Sequence, residues 1–157
     1  MTRARVTLAA TAALLAALDL GLKTWASRAL TDGTSVDLQV IQLRLAFNSG
    51  VAFSLGDTLP SGVVLGVTGL IIAGLAVFAW STTRTATLPI RLGLAAVLAG
   101  AIANLVDRAV DGVVTDYLHT GWFPTFNLAD VFITVGGGAL VLASLRATDS
   151  TPKDSAP

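Results

Sequence analysis

Cysteine and glutamate are absent from the 157 residues, and histidine occurs once, at His119. Without cysteine there is no disulfide, no thiol nucleophile, no thiolate metal ligand and no lipid attachment at sulfur. A single histidine rules against a histidine-rich metal centre, and no cofactor is expected. All ten acidic residues are aspartate, so any acid–base chemistry falls to aspartate. Charge itself is scarce: 13% of residues are charged, against about 25% in soluble domains. The formal net charge is zero, which leaves no basic stripe for nucleic acid and no acidic tail.

What remains is apolar. Hydrophobic residues make up 54% of the chain and the mean hydropathy is +0.75, so lipid is expected to replace much of the surrounding water. A membrane-spanning helix needs about 20 mostly apolar residues at roughly 1.5 Å rise each. Four segments qualify, at about 6–25, 61–80, 88–106 and 129–145. The second carries no charge. The fourth is short and holds Gly136, Gly137 and Gly138, which suits close approach of membrane helices. Arg3 and Arg5 before an Ala/Leu run look like a secretory signal, but with three later spans an uncleaved first helix is the better reading. The fold expected is a four-transmembrane-helix bundle in one domain, 1–147, followed by a disordered tail from Thr148 to Pro157.

Lys and Arg set the orientation. Arg3 and Arg5 precede the first span, Arg84 and Arg91 bracket the 81–91 turn, and Arg146 and Lys153 follow the last span. The positive-inside rule then puts both termini in the cytoplasm and loops 26–60 and 107–128 outside. In the first outer loop Val36, Leu38 and Val40 alternate with polar neighbours, and Ile41, Leu43, Leu45 and Phe47 continue on a shifted phase. This predicts a strand with a bulge near Val40–Ile41, within a small extracytoplasmic β-structure. Trp25, Trp80 and Trp122 near span ends read as interfacial anchors, and His119 as a surface loop residue.

Ionisable groups at the rim of a span are functional candidates by default, and Asp19, Asp107, Asp111, Asp116 and Asp130 sit at or near such places. Asp19 and Lys23, four apart with the acid first, favour an ion pair, read as a support that snorkels at the outer end of span one. Asn104, Asp107 and Arg108 share one face at the outer end of span three, where Asp107–Arg108 is suited to fixing the neighbouring loop. Asn127 and Asp130 are three apart at the start of span four. If Asp116 and Asp130 meet in low dielectric, one keeps its proton and the pair offers a base and an acid. That is aspartic-protease chemistry; solvated loop aspartates or a cation pathway fit the spacing alone as well.

Five pieces in order carry a resemblance that covers nearly the whole chain: Asp19-Leu20-Gly21-Leu22-Lys23; Asn48-Ser49-Gly50-Val51-Ala52-Phe53-Ser54; the run from Gly100 through Asn104 to Asp107-Arg108; Val114-Thr115-Asp116-Tyr117; and Phe126-Asn127-Leu128-Ala129-Asp130. The sequence resembles the lipoprotein signal peptidases, or signal peptidase II. The resemblance implies a bacterial cell-membrane peptidase whose catalytic aspartates map onto Asp116 and Asp130. Supporting polar residues map onto Asp19, Lys23, Asn48, Asn104, Asp107, Arg108 and Asn127, with the Asn48 loop suited to binding substrate backbone. The implied substrate is a diacylglyceryl prolipoprotein cut just before its lipidated Cys; membrane lipids are the other partners and a monomer is expected. Ala103 stands where Gly is usual in the family, Tyr117 where Phe is usual, and Val131 where Ser is common. The rival readings are a small transporter or proton relay, which needs polar groups through the membrane depth, and a noncatalytic assembly relative, which would tolerate loss of either aspartate.

Overall fold

The computed structural model describes residues 3–31, 33–49 and 60–149. Four helices and three strands follow in the order α1 (Arg3–Ala29), β1 (Ser35–Asp37), β2 (Gln42–Asn48), α2 (Ser61–Thr82), α3 (Leu88–Asp111), β3 (Val114–His119) and α4 (Leu128–Asp149). All four helices are long and apolar enough to cross a membrane. The shortest have 22 residues, roughly 33 Å of helix, which matches a hydrocarbon core of about 30 Å.

The helices outrun the apolar segments. α1 begins at Arg3 and continues to Ala29, and α3 continues to Asp111, because backbone hydrogen bonding does not stop where hydropathy falls. Gly112 ends α3 in a left-handed conformation (φ 77°), its N–H donating to the Arg108 carbonyl, a conformation glycine adopts without a Cβ penalty. α4 takes in Thr148 and Asp149, the first two residues of the segment expected to be a disordered tail; residues 150–157 lie outside the described residues.

α3 is the central helix and packs against α1, α2 and α4. It does so with small side chains. A Cβ on Gly100 would collide with the Ala129 carbonyl oxygen, and one on Gly136 would lie 2.7 Å from that of Gly93. The α3 and α4 backbones therefore touch, as small residues permit. Gly137 and Gly138 have open space around them, so of the three consecutive glycines only Gly136 meets the packing need. At the end away from the sheet, Arg5 lies over the Trp80 ring, 4.7 Å from its centroid, and donates to the Trp80 carbonyl at 3.3 Å. Trp80 thus joins α1 to α2 besides facing outward.

Large apolar residues such as Leu14, Leu70 and Val77 face outward, while Asp19, Lys23, Asp107, Asp116 and Asn127 are buried. That inversion suits a lipid surround.

The strands form one antiparallel sheet in the order β1-β2-β3. The phase shift at Val40–Ile41 is a chain reversal and not a bulge. Leu38 N–H donates to the Ile41 carbonyl at 2.9 Å, Gln39 takes a positive φ of 72°, and the Asp37 carboxylate accepts from Gln39 N–H at 2.7 Å. Each strand keeps its own alternation, and the tight turn between them shifts the phase. The irregularity in register lies further on, between Leu43 and Ala46, where β2 meets β3. β3 falls within the segment read as a loop, because its partner is distant in sequence and no hairpin signal announces it.

Candidate active site

The site is assembled at the sheet-bearing end, around the first turn of α4. A helix leaves its first N–H groups without intrahelical partners, and here each finds an acceptor. Leu128 N–H donates to the Tyr117 hydroxyl at 3.3 Å. Ala129 N–H donates to Asp19 Oδ1 at 2.9 Å. Asp130 N–H donates to Asn127 Oδ1 at 3.0 Å, and Asp130 Oδ2 accepts from Asn127 N–H at 3.2 Å. The last two form a reciprocal capping box with Asn127 as N-cap and Asp130 three residues on. One cap of this kind is worth about 1 kcal/mol; together they fix where α4 starts and hence where Asp130 stands.

Asp116 arrives from β3. The register pairs Ala46 with Asp116 and Asn48 with Val114, which brings the end of β2 alongside. Asn127 Nδ2 donates to Asp116 Oδ1 at 2.7 Å, and Asn48 hydrogen-bonds the same carboxyl. The start of β3 is held by α3, since Thr115 N–H donates to Asp107 Oδ2 at 2.7 Å. Asp107 thus bonds the backbone of the segment that follows its helix.

Behind the aspartates, Lys23 gathers three acceptors. Its Nζ lies 3.1 Å from Asp19 Oδ2, 3.3 Å from Asp107 Oδ2 and 2.6 Å from Asn104 Oδ1. Asn104 then donates through Nδ2 to Asp130 Oδ1 at 2.9 Å. The expected Asp19–Lys23 pair exists, but it does not snorkel: Lys23 is 2% exposed and Asp19 fully buried. Both turn inward because one ammonium serves two carboxylates there, which offsets part of their charge in a medium that penalises isolated charge. Arg108 lies half-buried in the last turn of α3, one residue beyond Asp107.

Burial pushes the Asp116 carboxyl up to about 7, and the charge of Asp130 adds to the rise; the bonds from Asn127 and Asn48 and the charge of Lys23 oppose it. Burial, with the nearby Asp19 charge, also holds the Tyr117 phenol above its ordinary range. Among the described residues no three His, Cys, Asp or Glu side chains gather to hold a metal ion. The arrangement offers a desolvated carboxyl that keeps a proton near neutral pH, an electrostatically coupled second carboxyl, and amides that orient both.

Residues 11–146 match the family described as signal peptidase (SPase) II. The chain belongs to the signal peptidase II family. Lipoprotein signal peptidases of Brucella ovis and Brucella melitensis are each 37% identical over 130 residues, covering 80% of this chain and 81% of theirs. Two solved structures described as bacterial membrane enzymes share the fold. One has a TM-score of 0.82 at 23% identity, covering 96% of this chain and 94% of its own. The other has a TM-score of 0.74 at 23% identity, covering 95% and 94%. This signal peptidase II chain is thus a peptidase and a multi-pass bacterial membrane protein.

Asp19, Lys23, Asn48, Asn104, Asp107, Asp116, Asn127 and Asp130 converge as described. Gly50 to Ser54 of the Asn48 motif lie outside the described residues. Sequence reading passed over Thr115, whose N–H anchors on Asp107 and whose carbonyl accepts from Asn127 Nδ2 at 3.4 Å, and over Tyr117 as a cap on α4. It also left the Asn127–Asp130 spacing unread as a capping box, although an N-cap residue followed three positions later by an acid is a recognised helix-start signal.

Proposed function

We propose that the protein removes the signal peptide from diacylglyceryl-modified prolipoproteins, cleaving just before the lipidated Cys with Asp116, Asp130 and one water. The substrate class rests on the lipoprotein signal peptidases to which the chain is similar. The dyad rests chiefly on one observation: a single side chain, Asn127, bonds both the Asp116 carboxylate and the Asp130 segment. In this reading the pair shares one proton, and desolvated Asp116 is its holder. The ionised member takes a proton from water as the water oxygen attacks the scissile carbonyl, while the other member protonates the carbonyl oxygen. The tetrahedral diol then collapses: one of its hydroxyls returns a proton to the carboxyl that had protonated the carbonyl oxygen as the C–N bond breaks, and the departing amine of the lipidated Cys takes the proton held by the other, which leaves the pair again with one proton. The Lys23 cluster acts as support, through Asn104.

The proposal also places both termini in the cytoplasm and the sheet-bearing end outside, with a monomer acting on lipid-borne substrate. The side follows from the Lys and Arg distribution. A transporter reading lacks support, because the buried ionisable groups among the described residues, Asp19, Lys23, Asp107 and Asp116, all lie at that one end.

The test is cleavage of a diacylglyceryl-modified prolipoprotein peptide in detergent or lipid. Wild type should cut before the lipidated Cys, and Asp116→Asn and Asp130→Asn should each lose activity while remaining folded. Near-normal turnover by either variant would remove the dyad.

A further inference from the structure

A concavity of about 280 Å³ lies between the last turns of α1 and α3, beside the aspartate site. Leu20, Val106 and Val110 give it an apolar wall, and buried Lys23 and Asp107 form its floor. Two exposed charges of opposite sign, Arg28 and Asp111, also line it, with Thr24, Ser27 and Thr115 between the walls and the floor. Neither has a hydrogen-bond or ion-pair partner among the described residues, and they do not pair with each other.

Asp111 stands against its local electrostatics. It is the last residue of α3, where the helix's terminal carbonyls already concentrate negative charge and an acid is disfavoured. A cation from outside the chain would be favoured beside that acid. Arg28, in the last turn of α1, suits its helix end, and its guanidinium fork, without a partner among the described residues, matches a phosphate. Val110 and Val106 are 76% and 39% exposed, so the wall leads from these charges down the lipid-facing side of the helices.

We propose that this groove binds a zwitterionic aminophospholipid, with its phosphate on Arg28, its ammonium on Asp111 and its acyl chains along Leu20, Val106 and Val110. The charges select this ligand among lipids. A diacylglyceryl group carries no formal charge and leaves both residues unsatisfied. An anionic phospholipid satisfies Arg28 and sets like charge against Asp111. The floor gives the lipid a route to the chemistry, since it rests against the Lys23–Asp107 pair and Lys23 orients Asn104, which holds Asp130. The ligand is distinct from the substrate proposed above, and its binding does not depend on that assignment.

The full chain, purified in detergent, is titrated with phosphatidylethanolamine, phosphatidylglycerol, diacylglycerol and glycerophosphoethanolamine, and bound ligand is counted by native mass spectrometry. Phosphatidylethanolamine should bind about tenfold or more tightly than each of the others, the last lacking acyl chains. Arg28→Gln should weaken phosphatidylethanolamine about tenfold, whereas Arg28→Lys retains most of the preference. Asp111→Asn should bring phosphatidylglycerol level with phosphatidylethanolamine. Equal binding of all the lipids, tightest binding of diacylglycerol, or unchanged selectivity in Arg28→Gln and Asp111→Asn overturns the proposal. Both positions are exposed, and circular dichroism of each variant confirms that the helices are retained. The readout is lipid bound and not peptide cleaved, so this result stands apart from the outcome of the dyad test.

Discussion

Asn127 and Asp130 cap one another across the first turn of α4: Asn127 Oδ1 accepts from Asp130 N–H at 3.0 Å, and Asp130 Oδ2 accepts from Asn127 N–H at 3.2 Å. The same Asn127 amide donates to Asp116 at 2.7 Å. Having an N–H on one side and a carboxylate on the other fixes which way the amide faces. Starting a helix and aligning two carboxyls are therefore one task for one side chain.

The two roles separate by substitution. Asn127→Ser keeps a cap oxygen and loses the donor to Asp116. It should retain thermal stability within a few tenths of a kcal/mol and lose on the order of 10²-fold in kcat, because Asp116 is no longer held in place. Asn127→Ala should lose about 1 kcal/mol of stability as well. Detergent-phase melting and peptide turnover, measured on both variants, check this; equal turnover in wild type and Asn127→Ser would detach Asn127 from the chemistry.

The elevated Asp116 carboxyl predicts two pH effects. A dyad that needs one proton loses activity as pH rises through about 7, where that proton leaves. For stability the sign is set by linkage. A carboxyl whose folded value is raised from 3.8 to about 7 contributes stability that is full below 3.8 and lost as pH rises through 7. Asp116→Asn escapes that loss, so at pH 8 it should melt above wild type, and the gap should close as pH falls below 4. A gap independent of pH contradicts the assignment.

Lys23 is the one cation between Asp19 and Asp107. Lys23→Met leaves buried acids uncompensated and should destabilise by roughly 3–5 kcal/mol at neutral pH. Melting of Lys23→Met alone and combined with Asp107→Asn tests it; if removing the acid recovers none of the loss, packing alone is responsible.

The α3–α4 contact predicts different outcomes for chemically identical changes. Gly100→Ala drives a methyl into the Ala129 carbonyl and should cost about 1–3 kcal/mol. It also shifts the turn carrying Asp130, so turnover should fall with stability. Gly138→Ala meets open space and should be neutral or stabilising by about 0.5–1 kcal/mol. Melting temperatures of the pair decide the matter.

Tyr117, where the family usually has Phe, accepts a bond from Leu128 N–H. Tyr117→Phe should cost about 0.5–1.5 kcal/mol and leave turnover within a few-fold, since Asp19 and Asn127 still cap α4. A loss of turnover far beyond this would show that the hydroxyl does more than cap.

The four spans were legible because lipid imposes a length and a hydropathy on every helix that crosses it. The candidate aspartates were legible because charge near a membrane is rare enough to stand out. The Asp19–Lys23 pair could be read from its four-residue spacing, since a helix brings such residues together whatever surrounds it. The tertiary structure decided what distance along the chain conceals. It paired β2 with β3, turned Lys23 inward to serve Asp107 as well as Asp19, and used Asp19 to cap a helix 110 positions away. It also chose Gly136 over its two glycine neighbours as a point of close approach between α4 and α3. Local periodicity reports which face of an element is apolar; which partner meets that face depends on packing and on hydrogen bonds between segments whose order in sequence says nothing of their proximity.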